Sequence, residues 1–166
     1  MLSNTTTSYA GLDRRLTAED VRIVRGSRSN QTIMISVDST RLGPALGGCR
    51  VKTYPSWPDG LADVLRLSAA MTEKAALAGL DHGGGKTVVA LDAEDAVRWT
   101  SGAGRVDLMA DIADAVESLH GAYICGPDIG TGPDDMALLR QRTRHALCRP
   151  ESAGGSGDSS APTGSA

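Results

Sequence analysis

Three consecutive glycines and a lysine, Gly83-Gly84-Gly85-Lys86, stand directly before the short apolar run Thr87-Val88-Val89-Ala90-Leu91. That run reads as a buried strand, and a strand without a polar face needs cover on both sides. The surrounding pattern supplies it. A helix is expected over 58–77, with Ser56 as N-cap, Asp59 three residues on as a capping-box partner, and Gly79 as the stop. Its apolar positions are Leu61, Val64, Leu65, Leu67, Ala70 and Met71. The glycines themselves read as a loop over 80–86 between that helix and the strand.

Before the helix the chain is rich in strand formers. Val21-Arg22-Ile23-Val24 and Thr32-Ile33-Met34-Ile35-Ser36-Val37 flank the turn cluster Gly26-Ser27-Arg28-Ser29-Asn30 and form a hairpin or an antiparallel pair. A loop with Gly43-Pro44 and Gly47-Gly48 leads to a third strand over 49–52. After Leu91 a short helix is expected over 93–100. A stronger one follows over 105–119, with Val106, Met109, Ile112, Val116 and Leu119 on one face and Asp107, Asp111, Asp114 and Glu117 mostly on the other. A strand over 122–125 and a helix over 134–141 complete the pattern. The expected fold is α/β: a mixed, mostly parallel sheet flanked by helices, with a β-rich start. One domain fills residues 1–150. The Gly/Ser-rich tail 151–166 and the polar lead-in 1–10 read as disordered.

The glycine-lysine segment is not a phosphate loop. A P-loop needs glycine six residues before its lysine, where this chain has Leu80, and it runs strand, loop, helix rather than the reverse. No G-x-G-x-x-G occurs in the 166 residues, so no dinucleotide turn and no cofactor-binding residue is expected in this chain.

Composition removes other classes. The formal charge is −3, with no Phe, 3 Tyr and 2 Trp, which argues against a nucleic-acid surface and for an aliphatic core. The 3 cysteines (Cys49, Cys125, Cys148) form no C-x-x-C pair, and His82, His120 and His145 are scattered, so neither disulfides nor a metal site are expected. No apolar run approaches membrane-spanning length, and residues 1–10 lack a secretory apolar stretch, so the expected location is cytoplasmic.

Four segments, taken together, resemble one family. Gly43-Pro44-Ala45-Leu46-Gly47-Gly48, Met71-Thr72-Glu73-Lys74, Ala78-Gly79-Leu80-Asp81-His82-Gly83-Gly84-Gly85-Lys86-Thr87 and Gly126-Pro127-Asp128-Ile129-Gly130-Thr131 follow one another in the order and spacing of the N-terminal domain of the glutamate/leucine/phenylalanine/valine dehydrogenases. The resemblance extends over residues 20–158 and includes the 12 positions from Lys74 to Lys86. It implies NAD-dependent oxidative deamination of an L-amino acid to a 2-oxo acid and ammonia. It also implies subunit contacts within a homo-oligomer, and a separate Rossmann domain for NAD that this chain lacks.

By the same resemblance, Lys74 binds the substrate carboxylate, Lys86 is the catalytic base, and Asp128 handles the amine and its proton. Gly47 and Gly48 line the pocket and Met71 lies near it. The residue types suit the tasks: a cation for a carboxylate, an anion for an ammonium, and a base that burial and a neighbouring cation make available near neutrality. Leu46 stands where glutamate-specific relatives hold a lysine, which implies a branched-chain or other apolar substrate, valine or leucine ahead of phenylalanine. Glu73 and His82 depart from the family's usual residues. The alternative reading is a non-catalytic product, or a module that binds amino acids or partner subunits.

Overall fold

The computed structural model describes residues 18–94, 96–154 and 156. The first two strands, β1 (Asp20–Arg25) and β2 (Thr32–Val37), form the expected antiparallel pair. They are followed by β3 (Ala45–Thr53), helix α1 (Trp57–Leu77) and β4 (Gly83–Leu91), then by a 3-10 turn at Ala96–Trp99. Helix α2 (Gly102–Glu117), β5 (Tyr123–Pro127), helix α3 (Pro133–Leu139) and a 3-10 turn at Glu151–Ala153 end the described chain. The strands lie in one sheet in the order β1-β2-β4-β3-β5.

The sheet is α/β and mixed, but not mostly parallel. β1·β2 and β2·β4 run antiparallel, while β4·β3 and β3·β5 run parallel. The reason is connectivity. Only β3, β4 and β5 are joined through helices, which is what parallel neighbours require, and the β-rich start joins β4 as a hairpin.

Strand periodicity sorts the sheet into two faces. Met34, Val88 and Ala90 face α1 and pack on Val64, with Leu61 and Leu65 partly covered beside them. The neighbouring Ile33, Ile35, Val89 and Leu91 face the other way, into a larger core with Leu108, Ile112 and Val116 of α2 and Leu139 of α3. Each such aliphatic side chain contributes about 1.5–3 kcal/mol on burial. Of the predicted apolar face of α1, only Val64 is fully buried. The residues pressed on the sheet are Gly60, Val64, Ser68 and Ala75.

Local details differ from expectation for identifiable reasons. The three glycines are strand, not loop: β4 begins at Gly83 and is buried throughout. A Cβ at Gly84 would lie 2.1 Å from the backbone nitrogen of Thr72, so glycine here lets α1 lie directly on the strand. Likewise β3 starts at Ala45 rather than near Cys49 and takes in Gly47 and Gly48. Ser56 does precede α1, but its hydroxyl donates to the Asp59 carboxylate at 2.7 Å instead of capping a backbone N–H. Gly79, at φ +65°, ends the helix as expected. Among the described residues of 93–100 there is a 3-10 turn in place of the expected helix, Val106 is half exposed, and Asp111 is buried rather than outward. The lead-in 1–10 and nearly all of the tail beyond Gly154 lie outside the described residues.

Candidate active site

On the α1 face of the sheet, alternate residues of β3 are Leu46, Gly48 and Arg50, and their neighbours on β4 are Gly84, Lys86 and Val88. Asp128 follows directly on β5, whose Gly126 pairs with Gly48. Sheet order therefore places Gly48 between Lys86 and Asp128. Lys86 is 6% exposed, and its Nζ lies 2.9 Å from Asp128 Oδ2. The pair closes over a strand position that must be empty: a Cβ at Gly48 would stand 2.7 Å from Asp128 Cβ and 3.1 Å from Lys86 Nζ. Gly47 points to the opposite face, where a Cβ would run into the Gly85 carbonyl. Its own carbonyl accepts a hydrogen bond from Tyr123 Oη at 3.1 Å.

The backbone around Asp128 is fixed. Its N–H donates to Thr131 Oγ1 at 2.9 Å, and that hydroxyl donates to the Cys49 carbonyl at 2.7 Å. Gly130, at φ +79°, turns the loop back so closely that a Cβ would sit 1.9 Å from the Val51 carbonyl. The side chain is held by a second cation as well: Arg50 Nε donates to the same Oδ2 at 2.8 Å. Burial works to raise the Asp128 carboxyl, but hydrogen bonds and charge from Lys86 and Arg50 outweigh it and hold the group below its ordinary value.

Arg50 reaches further. Its Nη1 meets Asp63 Oδ2 of α1 at 2.9 Å, where Tyr54 Oη also donates at 2.8 Å, while Arg66 takes the other oxygen at 2.6 Å. Burial again opposes ionisation of Asp63, and hydrogen bonds from Tyr54, Arg66 and Arg50 prevail, so its carboxyl is lowered. Burial and the adjacent Asp63 push the Tyr54 hydroxyl up.

The remaining predicted residues fall beside this network. At 3.6 residues per turn, Asp63, Leu67, Met71 and Lys74 share one stripe of α1, so Lys74 and Met71 lie on the flank that Asp63 ties to Arg50. Lys74 is exposed, and Met71 and Leu46 are partly covered. Glu73 is exposed, and His82 Nδ1 lies 3.0 Å from the Pro44 carbonyl. Sequence reasoning missed Arg50, Asp63 and Tyr54. Period two from Leu46 and Gly48 would have put Arg50 on the same face, and the helical stripe would have brought Asp63 into line with Lys74.

The glycines do not make a dinucleotide cradle. Gly47, Gly48 and Gly83 to Gly85 are strand residues inside the sheet, not a turn opening a helix, so the residues present do not fit a pyrophosphate. What the face can do is hold an ammonium against a fixed carboxylate and pass a proton between a buried lysine and its neighbours.

Comparison with known proteins agrees with this architecture. Residues 13–145 match the family model described as Glu/Leu/Phe/Val dehydrogenase, dimerisation domain. Phenylalanine dehydrogenase of Lysinibacillus sphaericus is 44% identical over 130 residues, 78% of this chain and 32% of that protein. Valine dehydrogenase of Streptomyces virginiae is 39% identical over 145 residues, 87% of this chain and 38% of that protein. The crystal structure of L-tryptophan dehydrogenase from Nostoc punctiforme superposes with a TM-score of 0.70 at 32% identity, covering 80% of this chain and 37% of that one. The chain thus spans between 32% and 38% of the length of these relatives. It belongs to the Glu/Leu/Phe/Val dehydrogenase family, and the part it represents is the dimerisation domain.

Proposed function

We propose that this domain is the amino-acid-binding and subunit-contact part of an NAD-dependent dehydrogenase that converts a branched-chain or other apolar L-amino acid to its 2-oxo acid and ammonia. The observation that supports it best is the pair of buried Lys86 and partly buried Asp128, 2.9 Å apart and closed over Gly48, beside the stripe of α1 that carries Lys74 and Met71. In this reading Lys74, exposed on the last turn of α1, takes the substrate carboxylate as a point charge. Asp128 receives the substrate ammonium, and Lys86 is the base that activates the attacking water. Gly48 gives the substrate room to approach the pair, and Gly47 keeps β3 close against β4. NAD is bound elsewhere than on the residues described here, and every step assigned to this chain is binding, orientation or proton handling.

Leu46 and Met71 supply apolar surface to the substrate side chain, worth about 1–3 kcal/mol against a polar competitor. In this reading valine or leucine is preferred to phenylalanine, while the relatives named above act, by name, on phenylalanine, valine and tryptophan. The domain assembles as a homo-oligomer in this reading. A cytoplasmic location is proposed with it, in keeping with three free cysteines and with the described residues' lack of any helix long and apolar enough to cross a membrane. A second reading, an amino-acid-binding module without turnover, uses the same site.

The test is 2-oxo acid formation from valine, leucine, phenylalanine and glutamate with NAD and with NADP. The 166-residue chain alone is expected to show no turnover. Joined to a dinucleotide-binding domain, it is expected to oxidise apolar amino acids with NAD and to leave glutamate nearly untouched. Amino-acid binding without turnover in the joined protein favours the second reading.

A further inference from the structure

Asp128 offers two oxygens, and the structure uses only one of them. Lys86 Nζ and Arg50 Nε both converge on Oδ2, at 2.9 and 2.8 Å, and among the described residues nothing donates to Oδ1. The second cation is not needed to neutralise one carboxylate, because Lys86 already does so. Arg50 nevertheless sits in a strand interior with a side chain only 13% exposed, its two nitrogens splayed between Asp128 and Asp63. Holding a guanidinium there costs desolvation, which its two carboxylates offset.

We propose that Arg50 is a positioning residue of the site: it pins Asp128 through Oδ2 and anchors it to α1 through Asp63, leaving Oδ1 free for the substrate's amino group. The inference rests on the proposed deamination for the identity of that amino group, and on geometry alone for the pinning. A lysine that serves as base has to leave its ion pair at some point in the cycle. With Lys86 as the sole partner, Asp128 would lose its orientation at that moment; with Arg50 on the same oxygen it keeps it. The Thr131 hydroxyl fixes the backbone of Asp128 and Arg50 fixes its carboxylate. Asp63 completes the brace, because Tyr54 and Arg66 hold it in turn and Lys74 stands on the same stripe of the helix. Arginine suits the post where lysine does not: its planar fork presents separate nitrogens to two carboxylates, and an ammonium has only one nitrogen to offer.

The experiment compares Arg50→Gln, Arg50→Lys and Asp63→Asn with the unaltered chain. In the 166-residue chain labelled with carbon-13 aspartate, the Asp128 carboxyl titration is followed by NMR. Arg50→Gln is expected to move it upward, since a cation that favours the carboxylate is gone, and Arg50→Lys to move it back toward its original place. In the protein joined to a dinucleotide-binding domain, Arg50→Gln is expected to lower kcat by about 10²-fold, the scale of a misplaced reacting group, with KM changed less. The acid limb of kcat/KM should rise with the titration. Asp63→Asn leaves the arginine present but untethered, so it is expected to lower kcat in the same direction by a smaller factor, and it serves if Arg50→Gln does not fold. An unmoved Asp128 titration in a folded Arg50→Gln chain, or an unchanged kcat in Asp63→Asn, overturns the proposal. If the joined protein deaminates no amino acid at all, the proposed function fails instead, and the titration still decides the role of Arg50.

Discussion

Two carboxylates, Asp111 buried and Asp128 partly buried, lie on opposite faces of the same sheet, and they are answered in different ways. Asp111 of α2 is 4% exposed and receives Ser29 N at 2.7 Å, Ser29 Oγ at 2.8 Å, Arg28 N at 3.1 Å and Arg28 Nη1 at 2.8 Å. The β1–β2 turn is folded around it, and a Cβ at Gly26 would lie 2.3 Å from its Oδ2. Ser27 Oγ adds a longer contact at 3.4 Å, so both of its oxygens are engaged, and two of the five donors are backbone N–H groups. Asp128 is held by two side-chain cations on a single oxygen. Burial opposes ionisation at both sites and hydrogen bonding overcomes it at both, so both carboxyls are lowered. The direction of the shift does not separate structural from functional carboxylates here. The identity of the donors does: backbone donors cannot leave, whereas a lysine can.

The largest expected effect breaks the comparison on the Asp128 side. In a protein joined to a dinucleotide-binding domain, Lys86→Ala should lower turnover by about 10²–10⁴-fold, as loss of a general base implies, while Lys74→Ala should act mainly on KM. Steady-state kinetics check both. Turnover near the original in Lys86→Ala would remove the lysine from the chemistry.

Next comes the Asp111 side. Asp111→Ala strands the Ser29 and Arg28 donors and should destabilise the fold by about 2–4 kcal/mol, read from denaturant midpoints. Amino-acid turnover should persist wherever the variant is folded. Loss of turnover in a folded Asp111→Ala protein would mean that the two carboxylates are not separable.

Acid sharpens the contrast. The lowered carboxyl of Asp111 contributes stability that is complete above its unfolded value, near 3.9, and is lost as pH falls through the lower folded value. Asp111→Asn should therefore show a flatter loss of stability below about pH 4 than the original chain, measured by urea unfolding across pH.

The smallest expected effect is on selectivity. Leu46→Lys in the joined protein should weaken valine and leucine turnover by roughly tenfold, the scale of one apolar contact. It should admit glutamate only weakly, because a charge pair compensates a desolvated carboxylate only in good geometry. Glutamate as the best substrate of the unaltered protein would contradict the role given to Leu46.

Much of the fold could be read from periodicity. β2 was expected at its observed limits, and α1 within one residue of its start. What stayed hidden was tertiary. Gly83 to Gly85 look like a loop because nothing local says that Ser39, Thr72 and Tyr123 press on them. Asp111 falls on the polar side of its helix, and only the distant turn at Ser29 makes that side interior. Lys86 and Asp128 could be paired by resemblance alone, since their meeting depends on β3 lying between β4 and β5. Arg50 escaped notice because a charged residue in a short strand ordinarily points to solvent. Here α1 covers that face and supplies Asp63.

The most direct test of the account is a titration of the isotopically labelled 166-residue chain with L-valine, L-phenylalanine and L-glutamate, followed by NMR. The apolar amino acids are expected to shift the signals of Gly48, Lys74, Lys86 and Asp128 in a saturable way, leave Ser29 and Asp111 unmoved, and compete with one another, with glutamate far weaker. Shifts that gather around Asp111, or glutamate binding more tightly than valine and phenylalanine, would contradict it.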